Sequence, residues 1–474
     1  MRMHLAIGLG SVVALGFGVA HGDVLMVPSD FLTIQDAIDA ASSGDEVHVA
    51  AGSYQERIDF LGKSISVIGQ GAATTTIDAS FANGPVVRFA TEEGPSSVID
   101  GFVLRGGAGE LFSDPIFGNL RCGGGVFIRS CSPTVRNCTI EENACWGGGG
   151  LFATGGTATI INCVIRNNVT EGHGGGMYCL DHATPNIDGC LFYSNDAAWG
   201  GGMTCTVNSD AHITNTEFIS NITHNVGGGM FIRSSSSPII SDCLFLDNTQ
   251  VDNPIGVGGG ICAYGVGNGG GPCYPEIMHC LFQGNSVTGD GGGLACAYDV
   301  HAIVTDCVFS ENSSGRDGGG VACMGAHDPD VPSNGTFTDC LFEGNTTSGR
   351  GGGFFSRASE PTLEQCVSRG NQADEGGGVS FFESELTSMS NTTVCGNHLD
   401  QVSGMYVDGG GNTINDDCPA CEGDINGDGV VGVDDLLAII AAFGPCSGCP
   451  ADVNHDGVVG VDDILIVLGA WGDC

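Results

Sequence analysis

Short stretches with an apolar residue at every second position recur along most of the chain, as in Cys138-Thr139-Ile140 and Cys307-Val308-Phe309. Successive side chains of a β-strand point to opposite faces, so this alternation predicts strands that bury one face. Helical spacing instead marks Phe31–Ala41 and the apolar segments Leu436–Phe443 and Ile464–Trp471. The pattern predicts a mainly β body with small helical elements near both ends.

One sequence unit repeats through the middle of the chain: a cysteine, an asparagine five residues later, a short turn and a glycine triplet. The cysteines are Cys138, Cys163, Cys190, Cys243, Cys280, Cys307, Cys340 and Cys366, with Thr216 in the one gap. The asparagines are Asn143, Asn168, Asn195, Asn221, Asn248, Asn285, Asn312, Asn345 and Asn371. The triplets begin at Gly123, Gly148, Gly174, Gly200, Gly227, Gly258, Gly291, Gly318, Gly351 and Gly376. Most successive triplets are 25 to 27 residues apart, which suits three short strands and three turns, one coil of a right-handed parallel β-helix.

The repeat gives its cysteines and asparagines structural roles. Coils of a β-helix stack about 4.8 Å apart, so like residues form columns. Inward cysteines then act as small apolar side chains, and asparagines at a turn pass amide hydrogen bonds from coil to coil. Stacked cysteines have parallel Cβ vectors, farther apart than the roughly 3.5–4.5 Å that a disulfide requires. We therefore expect the cysteine column to hold free thiols.

The Phe-x-x-Asn element, for example Phe192–Asn195 and Phe245–Asn248, resembles the repeats of chlamydial polymorphic outer-membrane proteins, within the pectin-lyase-like β-helix superfamily. The resemblance covers roughly residues 120–415 and implies the fold rather than a function. The helical segment Phe31–Ala41 and the strands after it resemble the capping start of pectinesterase-like and polysaccharide-lyase-like β-helices. We interpret Glu56 and Asp59 in that region as loop residues rather than catalysts.

The charge is strongly acidic, with 14 Lys and Arg residues against 55 Asp and Glu residues and a formal net charge of −41. Such a surface disfavours nucleic acid and anionic lipid and favours divalent cations. A basic start and an apolar run to Ala20 predict a signal peptide, and no later apolar stretch is long enough to span a membrane. We therefore expect a secreted protein, extracellular or on the cell surface. The expected parts are a signal peptide at 1–22, an N-terminal cap with the first coils at 23–120, repeats at 121–415 and a C-terminal module at 416–474.

Two acidic loops 28 residues apart precede the C-terminal apolar segments. Calcium takes six to eight oxygen ligands, which loops of this spacing supply from positions 1, 3, 5, 7 and 12. The predicted ligands are Asp424, Asn426, Asp428, Val430 and Asp435 in the first loop, and Asp452, Asn454, Asp456, Val458 and Asp463 in the second. The sequence therefore predicts two bound Ca2+ ions.

The pair of loops resembles dockerin type I modules, which carry Asp at position 12 where EF-hands carry Glu. That resemblance implies a cohesin-like or other cell-surface partner. Val433-Asp434 and Val461-Asp462 stand where dockerins often have Ser and Thr, so the partner is not assumed to be a familiar cohesin. A calcium-stabilised cap without a partner is the alternative. The Cys-x-x-Cys pairs beside the loops fit zinc or disulfides, and we expect disulfides in an acidic secreted module.

Departures from the repeat lie between Asn248 and Asp339, and loops on a rigid scaffold are where function concentrates. The candidate carbohydrate-binding residues there are Tyr264, Tyr298, Asp299, His301 and Asp328, with the two tyrosines expected at matching positions of their coils. The catalytic candidates are Asp290, Asp317 and Arg350, which stand directly before glycine triplets. Asp290 and Asp317 fall on adjacent coils, within reach of paired-carboxylate chemistry.

Uniform repetition without a convergent acid–base constellation favours a non-catalytic extracellular scaffold or adhesin, held through the dockerin-like tail and in contact with polysaccharide or a surface. The alternative is a polysaccharide lyase or glycoside hydrolase that acts on the outer face of the β-helix.

Overall fold

The computed structural model describes residues 22–114, 118–265, 270–325, 333–384, 386–418, 423–426, 430–446 and 448–473. The chain divides into two compact units, residues 1–281 and 282–474. The signal peptide predicted for residues 1–22 lies outside the described residues, apart from Gly22.

In the first unit, parallel strands form four sheets. Sheet 1 contains Val24–Val27, Glu46–Val49, Ser66–Gly69, Val98–Asp100, Thr134–Arg136, Thr159–Ile161, Asn186–Asp188, His212–Thr214, Ile239–Ser241 and Glu276–Met278. Sheet 2 contains Gly52–Tyr54, Thr75–Asp78, Val103–Arg105, Thr139–Glu141, Val164–Arg166, Leu191–Tyr193, Glu217–Ile219 and Leu244–Leu246. Sheet 3 contains Ala144–Cys145, Val169–His173, Asp196–Trp199, Ile222–Val226 and Thr249–Gln250. Sheet 4 contains Ile58–Asp59, Val87–Phe89, Val126–Arg129, Leu151–Thr154, Met177–Leu180, Met203–Thr206, Met230–Arg233 and Ile261–Tyr264. An antiparallel hairpin, Glu110–Asp114 with Gly118–Cys122, is inserted before the repeats.

The second unit continues the same four kinds of strand. Sheet 1 contains Ile303–Thr305, Thr336–Thr338, Thr362–Glu364, Ser388–Ser390 and Val407–Asp408. Sheet 2 contains Leu281–Gln283, Val308–Ser310, Leu341–Glu343, Val367–Arg369, Thr393–Cys395 and Thr413–Asn415. Sheet 3 contains Ser286–Val287, Ser313–Ser314 and Thr346–Thr347, and sheet 4 contains Leu294–Ala297, Val321–Met324, Phe354–Arg357, Val379–Phe382 and Val402–Gly404.

Each coil of the middle repeats visits sheets 1, 2, 3 and 4 in turn, which is the strand order of a parallel β-helix and confirms the predicted fold class. The prediction of three strands per coil was wrong for these coils. The residues after each asparagine are themselves extended and pair with the next coil, as Val169 does with Asp196 and Thr170 with Ala197. The sequence pattern does not identify these sheet 3 strands because the residues between the asparagine and the glycine triplet share no regular apolar alternation from coil to coil.

Inward side chains form the columns that the repeat predicts. Phe192, Phe218 and Phe245 stack with ring centroids 4.8 and 4.7 Å apart. The repeat cysteines are buried free thiols, in agreement with the expected unbridged column. Burial raises the pKa of the Cys138 thiol to about 12, so at neutral pH this thiol is protonated and acts as a small apolar side chain.

The asparagines form the predicted ladder of amide hydrogen bonds. In the first unit the side-chain amide of Asn143 donates to Asn168 Oδ1 at 3.0 Å, and the same contact follows from Asn168 to Asn195. In the second unit Asn285 donates to Asn312 at 2.9 Å. The side-chain amide nitrogen of Asn168, which donates to Asn195, also donates to the Ile140 carbonyl at 2.9 Å. Since these amides are buried, each bond satisfies polar groups that burial would otherwise penalise.

The glycine triplets are required where coils approach closely. Gly148 has φ of +64°, a conformation that glycine adopts without steric cost. A Cβ on Gly149 would lie 2.6 Å from the carbonyl oxygen of Gly175 in the next coil. Any larger residue at the second triplet position would therefore separate the stacked strands.

The N-terminal helix, Ile34–Ala40, receives side-chain hydrogen bonds from residues outside it at both ends. Both carboxylate oxygens of Glu56 accept hydrogen bonds from the backbone amides of Ile34 and Gln35, each at 3.0 Å. Lys63 donates to three carbonyl groups at the other end of the helix, at 2.7 to 2.8 Å. Negative charge at the start of a helix and positive charge at its end both stabilise it. These contacts fit the interpretation of Glu56 as a structural residue.

The C-terminal region contains the helices Val433–Ala442 and Val461–Gly469 and four short strands, Val430–Val431, Gly444–Pro445, Val458–Val459 and Gly472–Asp473. The strands pair antiparallel, Val430–Val431 with Gly472–Asp473 and Gly444–Pro445 with Val458–Val459. A small core of Val431, Ile439, Ala451, Val459 and Val467 lies between the two helical segments. Within the described part of the chain, none of the helices has the length and apolar run needed to cross a membrane.

Candidate functional site

The residues before the glycine triplets of the second unit are charged and linked from coil to coil. The backbone amide of Asp317 donates to Asp290 Oδ1 at 3.1 Å, and that of Arg350 donates to Asp317 Oδ1 at 2.9 Å. Glu375 follows on the next coil, paired with Arg350 in a parallel bridge. We call Asp290, Asp317, Arg350 and Glu375 the charged ladder. The structure therefore brings together the three residues that the sequence singled out as catalytic candidates.

Asp290 is the buried member of the charged ladder, with 3% of its side chain exposed. Burial raises the pKa of this carboxyl group and nearby Asp317 adds to the rise, while Arg316 and Arg357 oppose it. A carboxyl group with a raised pKa can hold a proton closer to neutral pH than an exposed one can. Asp290 is thus the ladder residue best suited to proton transfer.

The arginines around Asp290 differ from most other paired arginines in the molecule. Five arginines elsewhere contact their carboxylate partners at 2.6 to 3.0 Å: Arg88, Arg105, Arg136, Arg166 and Arg369. Arg316 lies 3.7 Å from Asp290, and Arg350 lies 3.7 Å from Glu375. These two separations exceed hydrogen-bond length, so the guanidinium donors are not used by those carboxylates.

Sequence reasoning missed two further residues of this region, Arg357 and Phe382. They end neighbouring sheet 4 strands and are paired side by side in the sheet. Phe382 is 39% exposed, and the Arg350 guanidinium carbon lies 4.1 Å from the centre of its ring. Both residues stand six positions after the start of a triplet, which by alternation is an outward position, so their spacing could have identified them.

Two of the predicted carbohydrate-binding residues, Tyr264 and Tyr298, do not stand at matching positions of their coils. Tyr264 is the last residue of its sheet 4 strand, whereas Tyr298 follows the strand Leu294–Ala297 and has φ of +56°. The expectation of matching positions was wrong, because Tyr264 lies six residues after its triplet begins and Tyr298 lies seven. Asp299 contacts the His301 Nε2 atom at 3.1 Å, and both side chains are less than one-third exposed. Asp328 lies outside the described residues.

The second acidic loop is closed by its own carboxylates. Asp463 Oδ1 accepts hydrogen bonds from the amides of Val453 and Asn454, and its Oδ2 accepts from Gly460. Asp452 accepts from Asp456 and Gly457. Burial would raise the pKa of Asp463, but these backbone donors together hold it below the usual value.

The first acidic loop repeats this arrangement. Asp435 accepts from the amides of Ile425, Asn426 and Gly432, at 2.7 to 3.1 Å. Of the other predicted ligands, Asp428 lies outside the described residues and Val430 begins a short strand. The two loops therefore share one architecture in which an ionised, buried Asp at position 12 faces the loop. Calcium takes oxygen ligands, but in the part of the loops that the structure describes no three His, Cys, Asp or Glu side chains are grouped to hold a metal ion.

Among the described residues of the C-terminal part of the chain, two disulfides are formed. Cys446 pairs with Cys449 beside the second loop, as expected for a disulfide rather than a zinc ligand set. Cys418 pairs with Cys395, a residue of a sheet 2 strand, with Cα atoms 4.7 Å apart. The second disulfide therefore ties the segment after the repeats to the final coils.

Comparison with known families gives a match over most of the chain. The model of a family described as "Right handed beta helix region" matches residues 100–269 and 247–418. The match begins in the early coils and ends where the C-terminal module begins. No curated protein matches the sequence.

Several solved structures are similar in fold. They include the catalytic unit of a GH87 α-1,3-glucanase from Streptomyces thermodiastaticus, at 14% identity and a TM-score of 0.42 over 81% of this chain and 65% of that one. The A-module of the Azotobacter vinelandii mannuronan C-5 epimerase AlgE4 has 12% identity and a TM-score of 0.33, over 81% of this chain and 90% of that one. A mannuronic acid-specific polysaccharide family 6 lyase from human gut microbiota has 14% identity and a TM-score of 0.36, over 78% of each chain. The family assignment therefore rests on the family model.

Proposed function

The chain belongs to the right-handed β-helix family, and we propose that it cleaves a polysaccharide, as a lyase or a glycoside hydrolase, at the charged ladder of its second unit. The buried Asp290 carboxyl group carries the proposal, because its pKa is raised and it is linked through backbone to Asp317. A carboxyl group of this kind can donate a proton to the oxygen of a departing sugar. Asp317, one coil on and more exposed, is the proposed second carboxylate.

The two reaction classes use this arrangement differently. A hydrolase needs one carboxyl group as acid and a second as base or nucleophile, the roles we assign to Asp290 and Asp317. A lyase needs a base that removes a proton beside an acidic group, whose charge must be neutralised. Arg316 and Arg350 supply positive charge beside the two aspartates. The products distinguish the classes, since a lyase leaves an unsaturated sugar with ultraviolet absorbance and a hydrolase leaves only new reducing ends.

The variant Asp290→Asn tests the proposal on a panel of neutral and acidic polysaccharides. We expect the wild type to release products from one panel member, and the variant to lose activity by about 100-fold or more, the usual contribution of a general acid. Asp339→Asn is the matched control, because Asp339 is an exposed turn residue of the same unit and should retain full activity. Full activity of Asp290→Asn would contradict the assignment.

A non-catalytic scaffold or adhesin is the second candidate, and one observation favours it. Asp290 and Asp317 both accept backbone amides of the following coil, which is also how a purely structural ladder would use them. In that case the protein would bind a panel polysaccharide without releasing products. Asp290→Asn would then leave binding unaltered.

We also propose that the protein is secreted and remains extracellular or on the cell surface. The basic and apolar start of the sequence supports export, and the disulfides Cys395–Cys418 and Cys446–Cys449 suit an oxidising compartment. Expression in a host that processes signal peptides, with N-terminal sequencing of the exported protein, tests this. Cleavage near residue 22 is the expected result, and retention inside the cell would contradict it.

We propose that each acidic loop binds one Ca2+ ion. Asp435 and Asp463 are almost fully buried, and no Lys or Arg occurs from residue 370 onward to neutralise them. Calorimetric titration of the full chain should show two ions per molecule, and one ion for the variant Asp452→Ala. Absence of calcium binding by the wild type would contradict the proposal.

The two C-terminal helices also support a docking role toward a cohesin-like or other cell-surface protein. Each exposes apolar residues at equivalent positions 28 residues apart: Val433 and Val461, Leu437 and Leu465, Ile440 and Leu468, and Phe443 and Trp471. These side chains are 48 to 62% exposed, as in a surface that a partner covers. Binding to immobilised cohesin domains in calcium, lost in Leu437→Asp/Leu465→Asp, would support docking. Failure to bind any cohesin would favour a calcium-stabilised cap.

A further inference from the structure

Three arginines lie at or beside the charged ladder, in a chain that has little positive charge. The whole sequence has 14 Lys and Arg residues and a formal net charge of −41. The basic residues of the second unit are Arg316, Arg350, Arg357 and Arg369. Arg369 pairs with Glu343 at 2.8 Å, and the other three lie at or beside the charged ladder. Positive charge in this unit is therefore gathered at one place.

The donors of these three arginines are available to a ligand. Arg316 and Arg350 approach their nearest carboxylates only to 3.7 Å. The Arg357 side chain makes no hydrogen bond or ion pair with any residue that the structure describes. A guanidinium group presents five N–H donors in a planar fork, which matches the oxygens of an acidic group in two-point contact. The guanidinium groups of these arginines therefore retain N–H donors that a ligand can use.

Phe382 connects Arg350 and Arg357. The Arg350 guanidinium stacks 4.1 Å from the Phe382 ring centre, and Arg357 is the lateral neighbour of Phe382 in sheet 4. Stacking on the ring holds Arg350 in place at a small entropic cost. The half-exposed ring adds an apolar surface of the kind on which a sugar ring packs. An exposed aromatic ring beside two arginines offers the apolar and charged contacts that suit one anionic sugar.

We infer that the site at the charged ladder selects a polysaccharide whose sugars carry an acidic group, either a uronate carboxylate or a sulfate ester, with Arg357 as its specificity-determining residue. This inference rests on the proposed action on polysaccharide at the same site. Asp317 and Glu375 also face this region and would repel an anion, so the ligand must be held by direct contact with the arginines. The rest of the protein surface is acidic and repels polyanions at long range. Binding of an anionic segment therefore depends on short-range contacts with the arginines.

Calorimetric binding of defined oligosaccharides to the full-length protein tests the inference. The probes are a tetramer of galacturonic acid, its fully methyl-esterified form, which has the same sugar without the charge, and a sulfated oligosaccharide of similar length. We expect one of the two anionic probes to bind at least tenfold more tightly than the ester, and which one binds identifies the acidic group. Equal affinity for all three probes would overturn the inference.

Variants locate the effect. Arg357→Gln should weaken binding of the preferred anionic probe at least tenfold and leave binding of the ester unchanged. Arg129→Gln is the matched control, because Arg129 is an exposed arginine at the end of a sheet 4 strand of the first unit. If Arg357→Gln binds the anionic probe as well as the wild type does, the assignment of Arg357 is wrong.

The same titrations separate this inference from the proposed activity. Asp290→Asn should bind the anionic probe and fail to cleave the corresponding polysaccharide. Selective, Arg357-dependent binding by a wild-type protein that cleaves no polysaccharide would sustain the inference and remove the enzymatic proposal. If the wild type and Arg357→Gln instead cleave a neutral polysaccharide equally well, the enzymatic proposal stands and the inference is wrong.

Discussion

The residue before the glycine triplet differs in kind between the two units. In the first unit this position holds His173, Trp199 and Val226, aligned along sheet 3. In the second unit it holds the charged ladder, from Asp290 to Glu375. The neighbouring strands run parallel in both units, and the glycine after this position has positive φ in both. The coil backbone therefore accepts either chemistry here, and the side chains at this position are set by something other than the fold.

The two regions also differ in what lies beside that position on the outer face of sheet 4. In the first unit, Phe127, Phe152 and Tyr178 are large, and they form a buried cluster. In the second unit the corresponding residues of two adjacent strands are Ala295 and Ala322, paired side by side. Phe355 follows Ala322 at the same position of the next strand, and all three side chains are buried, so two alanines interrupt the aromatic cover in the second unit. Aromatic packing distinguishes the first region, and the charged residues before the glycine triplets distinguish the second.

The largest expected effect concerns His173 and acid. His173 is stacked on Tyr178 and Trp199 at 5.1 and 4.9 Å, and burial, with a smaller contribution from Arg233, lowers its pKa to about 3. The unfolded chain binds a proton at this residue near pH 6.5, whereas the folded protein does not until about pH 3. Stability from this group is therefore lost as pH falls from about 6.5 to 3, by up to about 5 kcal/mol.

The measurement is the free energy of unfolding of wild type and His173→Phe across this pH range, followed by tryptophan fluorescence because Trp146 and Trp199 flank the ring. The variant should resist acid better than the wild type. His212→Gln serves as the control, since His212 is exposed in the same unit and should behave like the wild type. An identical pH dependence of His173→Phe and wild type would contradict a neutral, buried His173.

The next effect tests whether the aromatic cover of the first unit is structural. Tyr178 is 1% exposed and packs on Phe152 with ring centroids 5.5 Å apart. Tyr178→Ala should lower the free energy of unfolding by about 3–5 kcal/mol, as for other large aromatic residues removed from a core. Tyr193→Ala, at a 41% exposed tyrosine of the same unit, should change it by about 0.5 kcal/mol or less. Equal effects of the two variants, by hydrogen exchange and denaturant unfolding, would show that the cluster does not stabilise the coils.

The same two regions show how far the sequence predicts the structure. The columns of cysteine, phenylalanine and asparagine follow from a repeat whose register is fixed by glycine. The contact between Asn143 and Asn168 could therefore be predicted from the sequence alone. Asp290, Asp317 and Arg350 could be grouped for the same reason. The register of the repeat does not determine the distance between charged side chains. The 3.7 Å gap between Arg316 and Asp290 depends on side-chain rotamers and could not be anticipated.

Tyr264 and Tyr298 failed as a matched pair for a related reason. The prediction counted from the nearby cysteines, Cys262 and Cys296, but Cys262 aligns with Phe231 on the outer face of sheet 4, so it is not equivalent to an inward cysteine. Counting from the triplet would have shown the one-residue offset, which exchanges inside and outside in a strand. Insertions disturb cysteine spacing more readily than they disturb the triplet, because the triplet is fixed by close backbone contact between coils.

The smallest expected effect concerns the charged ladder and depends on the protonation state of the buried Asp290 side chain. Its pKa is raised in the folded protein, mainly by burial, so the folded state holds a proton at pH values where the unfolded chain has released it. The stability contributed by this group is complete below the unfolded pKa of about 3.9 and is lost as pH rises through the folded pKa. Asn at this position carries no charge and lacks this dependence.

The unfolding temperature of Asp290→Asn should therefore improve relative to the wild type between about pH 4 and pH 7, with a free-energy change on the order of 1 kcal/mol. Asp339→Asn, the exposed control, should show a constant difference. If the unfolding temperature of the wild type instead rises relative to that of Asp290→Asn as pH rises, Arg316 stabilises an ionised Asp290. Asp290 would then be a partner in a structural ion pair, like those elsewhere in the molecule, and not a proton donor.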